Sequence, residues 1–334
     1  MMTLVSFWFG LVSLVIILYV ILDGFSLGVG ILFISARNEA QRNVLINSIA
    51  PVWDANQTWI VFGATALFAV FPLIYTVVLS ALYIPLFTFV FGLIFRGIAF
   101  EFRANAQNKR IWEYVFFGGS VIATFAQGVT LGAYINGIEV KNGLFAGSAF
   151  DSLTPFSALV GIALLVGYSL LGATYLIIKT EGTVQQRAFH HATIAAWLVV
   201  GLMLIVSVST PMLEPQIWAR WSAIPRIYFI ISIAIIGLLA FFLLLISLQK
   251  HYEILPFIMS LLFFISAYLA LQASIYPYAI LPAEITSNEA AAQSQSLKFT
   301  LWGVGLVLPI VLGYVIYSYS VFRGKVSAQD SYHP

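Results

Sequence analysis

The residues best suited to chemistry lie in the stretch PVWDANQTW at positions 51–59, where an acid stands at the start of a long apolar run. If the stretch is helical, Asp54, Gln57 and Thr58 fall at positions i, i+3 and i+4 and share one face. An ionisable side chain at the edge of a membrane span indicates a functional site. The stretch therefore predicts a proton- or ion-handling group centred on Asp54, with Asn56 as a further polar neighbour.

Two further charged residues are the candidate partners of Asp54. Asp23 lies in the preceding apolar run and Arg96 in the following one. Two acids that share one arginine leave one carboxylate without a cation, which favours a proton-conducting or ion-binding entrance. A structural ion pair that pins three helices is the alternative interpretation, because structural networks also bury charges. Glu101 and Arg103, farther along the third run, are interpreted as a solvated helix end.

The composition indicates an integral membrane protein. Of the 334 residues, 61% are hydrophobic and 8% are charged, whereas a soluble domain carries about 25% charged residues. A net charge of +2, scattered along the chain, argues against nucleic-acid binding. The chain has no cysteine, which excludes disulfides and cysteine-ligated clusters.

Continuous apolar runs predict an all-α protein with about nine transmembrane helices. The runs do not alternate between apolar and polar residues as the strands of a membrane barrel do. We expect one polytopic membrane domain over residues 1–334. The predicted helices cover residues 4–34, 52–74, 77–103, 111–135, 152–179, 187–210, 225–249, 254–275 and 298–323.

The basic residues predict how the helices are oriented. Most of them follow the odd-numbered helices, at Arg37, Arg42, Arg103, Lys109, Arg110, Lys179, Arg187, Lys250, Arg323 and Lys325. This bias predicts an external N-terminus and a cytoplasmic C-terminus. A rise of about 1.5 Å per residue then brings Asp23, Asp54 and Arg96 to one depth near the cytoplasmic side. Because consecutive antiparallel helices are usually neighbours, we expect these three side chains to meet.

The histidines are badly placed for haem, which in a helix bundle usually needs histidine ligands. Of the four histidines, His190 and His191 open the sixth predicted helix, His251 lies in a short loop and His333 lies in the tail. None lies in the middle of a span. The sequence therefore predicts a chain that binds no haem directly, with His190 and His191 as a polar pair at the membrane edge.

Several stretches together resemble subunit II of the cytochrome bd-type quinol oxidases. The resemblance is carried by DGFSLGVG at 23–30, RNVLINSIAPVWDANQTWI at 42–60 and LIFRGIAFEFR at 93–103, and it extends to PIVLGYVIYSYSVFRGKV at 309–326. It covers nearly the whole chain. The resemblance implies a fold of two four-helix bundles plus one peripheral helix, in the bacterial inner membrane.

The resemblance also implies a role within a larger enzyme. In this family subunit I carries haems b and d and the quinol site, and the complex oxidises quinol and reduces oxygen to water. A proton route is placed at the acid of the WD motif, here Asp54, and in some members an oxygen route lies near the second tryptophan, here Trp59. The expected partners are subunit I, a small single-helix subunit and membrane lipid. Quinone or lipid are the candidate small-molecule ligands.

A proton-coupled secondary transporter, with Asp23 and Asp54 as coupling sites, is the alternative function. Transporters usually bind their substrates near the bilayer midplane between broken helices, whereas these acids are predicted near one surface. Within the site, Asp54 and Asp23 are expected to serve proton uptake, with Asp23 the more shielded of the two. Arg96 cannot lose its proton, so we expect it to hold the site in shape as an ion-pair partner.

Overall fold

The computed structural model describes residues 2–327, which form thirteen α-helices and two short β-hairpins. Eight helices in this range are long and apolar enough to cross a membrane. They are α1 (Met2–Leu32), α5 (Tyr83–Asn105), α6 (Lys109–Ile135), α7 (Pro155–Lys179), α8 (Gly182–Leu213), α10 (Arg226–Gln249), α11 (Leu255–Ile275) and α13 (Ser294–Val321). The shorter helices are α2 (Glu39–Ile49), α3 (Trp53–Val70), α4 (Pro72–Ala81), α9 (Pro215–Trp221) and α12 (Ser287–Ala290).

The helix is interrupted just before Pro72, between α3 and α4. The sequence had predicted one unbroken helix over 52–74. A proline disfavours helical backbone in the residue before it, and Phe71 has φ −127° and ψ 65°. Pro72 then occupies the first turn of α4, where its missing N–H costs nothing. The predicted helix 77–103 is wrong in its first part as well, because α4 ends at Ala81 and α5 begins at Tyr83.

The helices form two four-helix bundles and a peripheral helix. The first bundle contains α1, α3, α5 and α6, and the second contains α7, α8, α10 and α11. The bundles join where α7 packs against α1 and α6. At this junction the backbones of Gly28 and Gly172 touch, since a Cβ on either residue would overlap the other helix. Helix α13 packs mainly on α3 and stays largely exposed, so it is the peripheral element.

The two ends of the bundles differ in structure. At one end, β1 (Val140–Lys141) pairs with β2 (Leu144–Phe145), and β3 (Tyr278–Ile280) pairs with β4 (Ile285–Thr286). We call this end the hairpin face. The opposite end, where α1 ends and α3 begins, is the Asp54 face.

Helix α2 lies at the Asp54 face and was not predicted as a helix. It is too short and too polar to resemble a span. Asn38 begins it, because its side chain accepts a hydrogen bond from the Gln41 backbone N–H at 2.9 Å.

Candidate functional site

The centre of the candidate site is a buried ion pair between α1 and α5. Arg96 Nη1 lies 2.9 Å from Asp23 Oδ1, and the two side chains are 1% and 0% exposed. Ser26 Oγ donates a second hydrogen bond to Asp23 Oδ1 at 2.7 Å. A buried carboxylate needs such compensation, because an unpaired charge in a low-dielectric interior is very costly.

The pair has further polar and aromatic neighbours. Among the described residues, Asp23 Oδ2 and Arg96 Nη2 are buried without a hydrogen-bond partner of ordinary geometry, and the nearby buried Tyr19 hydroxyl interacts with the Asp23 carboxylate. On another side, the Arg96 guanidinium lies 5.7 Å from the centre of the Trp53 ring, within cation–π range. The pair is thus fixed in place.

Asp54 stands apart from this pair, contrary to the expected three-way contact. Its side chain is exposed, and it forms no ion pair or hydrogen bond within residues 2–327. The reason is its place in the first turn of α3. Neighbouring helical positions point about 100° apart, so Trp53 and Asn56 take the inward positions and Asp54 points outward.

Asn56 links α3 to the buried pair. It is fully buried, and its Nδ2 donates to the Leu22 carbonyl, next to Asp23, at 2.8 Å. Its Oδ1 accepts from the Tyr319 hydroxyl of α13, also at 2.8 Å. One side-chain amide therefore ties α1, α3 and α13 together two residues away from Asp54.

The remaining polar neighbours differ in exposure. Thr58 is exposed like Asp54, Gln57 is half-buried, and Trp59 is buried. Gln57 Nε2 and Trp59 Nε1 have no hydrogen-bond partner among the described residues. Thr58 and Trp59 line a mostly apolar, partly open cavity of about 260 Å³ between α3 and α13, whose other lining residues are Val61, Phe62, Thr65, Val307, Leu308 and Val311.

A second buried ion pair was missed, and the interpretation of Arg103 as a solvated helix end is wrong. Arg103 is 6% exposed and lies 3.0 Å from Glu113 Oε1 on α6. It also donates to Asn43 Oδ1 at 2.9 Å, and Arg42 Nε lies 3.4 Å from the same carboxylate oxygen. Glu101, by contrast, is exposed. The available signal was an acid placed ten residues after Arg103 across a short turn.

The described histidines lie towards the Asp54 face, in the first third of α8 and just after α10. The rings of His190 and His191 are 6.0 Å apart near the start of α8, and His251 packs on Phe189 in the turn after α10. Residues 2–327 hold no group of three side chains arranged to bind a metal ion. His333 lies outside the described residues.

Fold and site together define a helical membrane protein of two four-helix bundles, with an acid–arginine pair buried near one end. The family model described as cytochrome bd terminal oxidase subunit II matches residues 4–322. The chain belongs to this family.

Relatives over the full length agree with that assignment. The chain is 30% identical over 346 residues to "Cytochrome bd ubiquinol oxidase subunit 2" of Bacillus subtilis, covering 99% of each chain. It is 26% identical over 363 residues to "Cytochrome bd-I ubiquinol oxidase subunit 2" of Escherichia coli K12, covering 97% of this chain and 95% of the relative. The solved bd oxidase of Geobacillus thermodenitrificans shares the fold, with TM-score 0.76 and 18% identity over 96% of this chain and 99% of the other.

Proposed function

We propose that this chain is the haem-free subunit of a complex that oxidises quinol and reduces oxygen to water. The match across residues 4–322 to cytochrome bd terminal oxidase subunit II carries this proposal. The haems b and d and the quinol site belong to subunit I, consistent with the position of the described histidines towards the Asp54 face. The chain supports subunit I in the bacterial inner membrane.

The chain also contributes a proton-uptake route, which starts at Asp54. The carboxylate is exposed at one end of the first bundle, and it has no competing ion-pair partner among the described residues. Asn56 connects the same turn of α3 to the backbone beside Asp23. The complete burial of the Asp23 carboxylate supports its role as a shielded second acid, while Arg96 fixes the charge and geometry of the site.

Trp59 supports a candidate oxygen route, because it lines the apolar cavity between α3 and α13. A nonpolar gas partitions into such an apolar space more readily than into water. Quinone or lipid remain the candidate ligands of this chain, and a small single-helix subunit remains a candidate partner. A proton-coupled transporter is less well supported, because Asp23 and Asp54 lie towards one end of the bundle instead of at a midplane break.

The function is tested by purifying the chain in complex with its partners. We expect haem bands in the visible spectrum and oxygen consumption with quinol as donor. A double substitution, His190→Ala with His191→Ala, should leave the haem content unchanged. Loss of a haem band in that variant, or a complex that consumes no oxygen with quinol, would overturn the proposal.

The Asp54 face is proposed to be cytoplasmic, with the N-terminus outside, because the basic residues concentrate at that face. The chain has no cysteine of its own, so single introduced cysteines can be labelled without background. Asn108→Cys and Arg323→Cys should react only from the cytoplasm, and Ser148→Cys on the hairpin face only from outside. The opposite pattern would reverse the proposed direction of proton uptake.

A further inference from the structure

A polar cleft on the hairpin face has no part in the proposed oxidase function. It has a volume of about 370 Å³ and lies between α9 and the start of α10. Its polar lining consists of Gln216, Arg220, Arg226 and Glu284, and its apolar lining comes from residues 219 and 223–225. Two guanidinium groups thus share one small cleft at the end of the second bundle.

Arg220 is held in a fixed position but is not fully paired. Its side chain is 11% exposed and lies 3.9 Å from Glu284. Its guanidinium stacks 4.4 Å from the Tyr278 ring centre, and Nη2 donates to Gln216 Oε1 at 3.1 Å. The buried Nη1 has no hydrogen-bond partner among the described residues. Because Arg220 also lines the cleft, its rigidly held guanidinium is well suited to an oxyanion.

Arg226 adds a second cation to the cleft. It is half-buried, and no ion pair involves it within residues 2–327. Burial lowers the pKa of the Arg220 guanidinium, while Tyr278 and Glu284 oppose this shift and Arg226 adds to it. Two arginines and Glu284 line the cleft, and Glu214 acts on Arg220 from outside the lining. Arg226 is therefore the cation that an anion in the cleft would pair with.

The surface around the cleft is apolar and aromatic. Trp218, Ile224, Tyr228 and Phe229 are all more than 60% exposed, and they flank the point where α8 ends and α10 begins. Exposed aromatic rings at the ends of spans mark the membrane–water interface. The occupant of the cleft should therefore join an anionic head to apolar chains.

We propose that this cleft binds the headgroup of an anionic phospholipid, with Arg220 and Arg226 holding its phosphodiester oxygens. Phosphate pairs with arginine through short, charge-assisted and often bidentate hydrogen bonds. The acyl chains lie against the exposed apolar surface at Trp218 and Tyr228. The phospholipid stays bound through purification and packs the junction of α9 and α10.

The test counts retained lipid in the intact purified complex by native mass spectrometry. The complex is stripped with detergent and titrated with phosphatidylglycerol, with diacylglycerol and with inorganic phosphate. We expect one tightly retained phosphatidylglycerol, whose apparent affinity falls about tenfold to a hundredfold in Arg226→Gln, the usual cost of losing a hydrogen bond to a charged group. Lys298→Gln, which removes an exposed cation from the same face, should keep the parental affinity.

Arg220→Gln is the second variant. If Arg220→Gln fails to fold, Arg226→Gln still tests the proposal. Unchanged phosphatidylglycerol affinity in Arg226→Gln would overturn the proposal. Equal retention of diacylglycerol would show that the phosphate is not recognised, with the same consequence. If inorganic phosphate displaced the lipid at a similar concentration, the cleft would be a site for free phosphate, and the proposal of a bound phospholipid would be overturned.

Discussion

The two four-helix bundles differ in where their charged side chains lie. The first bundle buries the Asp23–Arg96 pair at 2.9 Å and carries the exposed Asp54 at the start of α3. In the second bundle the charged side chains lie towards the helix ends, and two of them donate to backbone carbonyls. Lys179 donates to the carbonyls of Phe322 and Gly324, and Arg187 donates to the Ser35 carbonyl at 3.1 Å.

The polar contacts inside the second bundle are neutral. Thr174 and Ser260 share a hydrogen bond at 3.0 Å, and the rest of that interior is mostly aliphatic and aromatic. A neutral contact is inexpensive to bury, whereas a buried ion pair costs desolvation that its mutual attraction barely offsets. Among the described residues, the buried ion pairs between span helices therefore lie in the first bundle, and the second bundle is held together mainly by neutral packing.

The largest expected effect comes from breaking the buried pair. Arg96→Ala leaves Asp23 as an uncompensated charge and should cost about 3–5 kcal/mol. The yield of haem-loaded complex should collapse, as measured by the visible spectrum per milligram of membrane protein. Lys250→Ala, which removes an exposed cation at an end of the second bundle, should leave the yield unchanged. An unchanged yield for Arg96→Ala would show that the pair does not hold the first bundle together.

A smaller effect is expected where the two bundles touch. Gly28→Ala places a methyl group into the backbone of α7, because a Cβ there would overlap Tyr168 and Gly172. Overpacking typically costs about 1–3 kcal/mol, so the midpoint of thermal unfolding of the complex should fall. Gly10→Ala on the same helix meets nothing within 4 Å and is the matched control. Equal stability of the two variants would mean that the close contact between Gly28 and α7 contributes little to holding the two bundles together.

The smallest effect is expected at the contact with the peripheral helix. Tyr319→Phe removes the hydrogen bond to Asn56 and should cost about 1 kcal/mol. Thermal unfolding of the complex measures the change, and Tyr317→Phe, an exposed tyrosine on the same helix, should be neutral. Greater destabilisation by Tyr317→Phe than by Tyr319→Phe would indicate that α13 packs against α3 through a different face.

The sequence located the buried pair because both residues are charged and lie in apolar runs. Counting the rise along each helix placed Asp23 and Arg96 at one depth. The two side chains could then meet if their helices were neighbours, as antiparallel helices close in the chain usually are. Depth alone does not specify direction around a helix. Asp54 reaches the same end of the bundle but points outward, since Trp53 and Asn56 fill the inward positions.

The wrong predictions at Pro72 and Arg103 arise from local effects that a hydropathy average over a whole run does not show. The apolar run across Pro72 continues on both sides, so only the backbone restriction at Phe71 marks the break. Arg103 resembled a solvated helix end because its partners, Glu113 and Asn43, come from α6 and the unpredicted α2. Such contacts depend on tertiary packing, which the pattern of a single run does not encode.

We expect Asp54 to take up protons while the buried Asp23–Arg96 pair supports the site. Asp54→Asn keeps the size and hydrogen-bonding shape of the side chain but removes the titrating group. Oxygen consumption by the purified complex with quinol as donor, normalised to its haem content, tests this directly. We expect normal haem content and a rate lowered by about a hundredfold, a typical cost of losing a positioned proton-transfer group. Glu181→Gln, an exposed acid at the same face, should keep the parental rate. Normal assembly of Asp54→Asn with the parental rate would contradict the claim, and failure to assemble would show that Asp54 is structural.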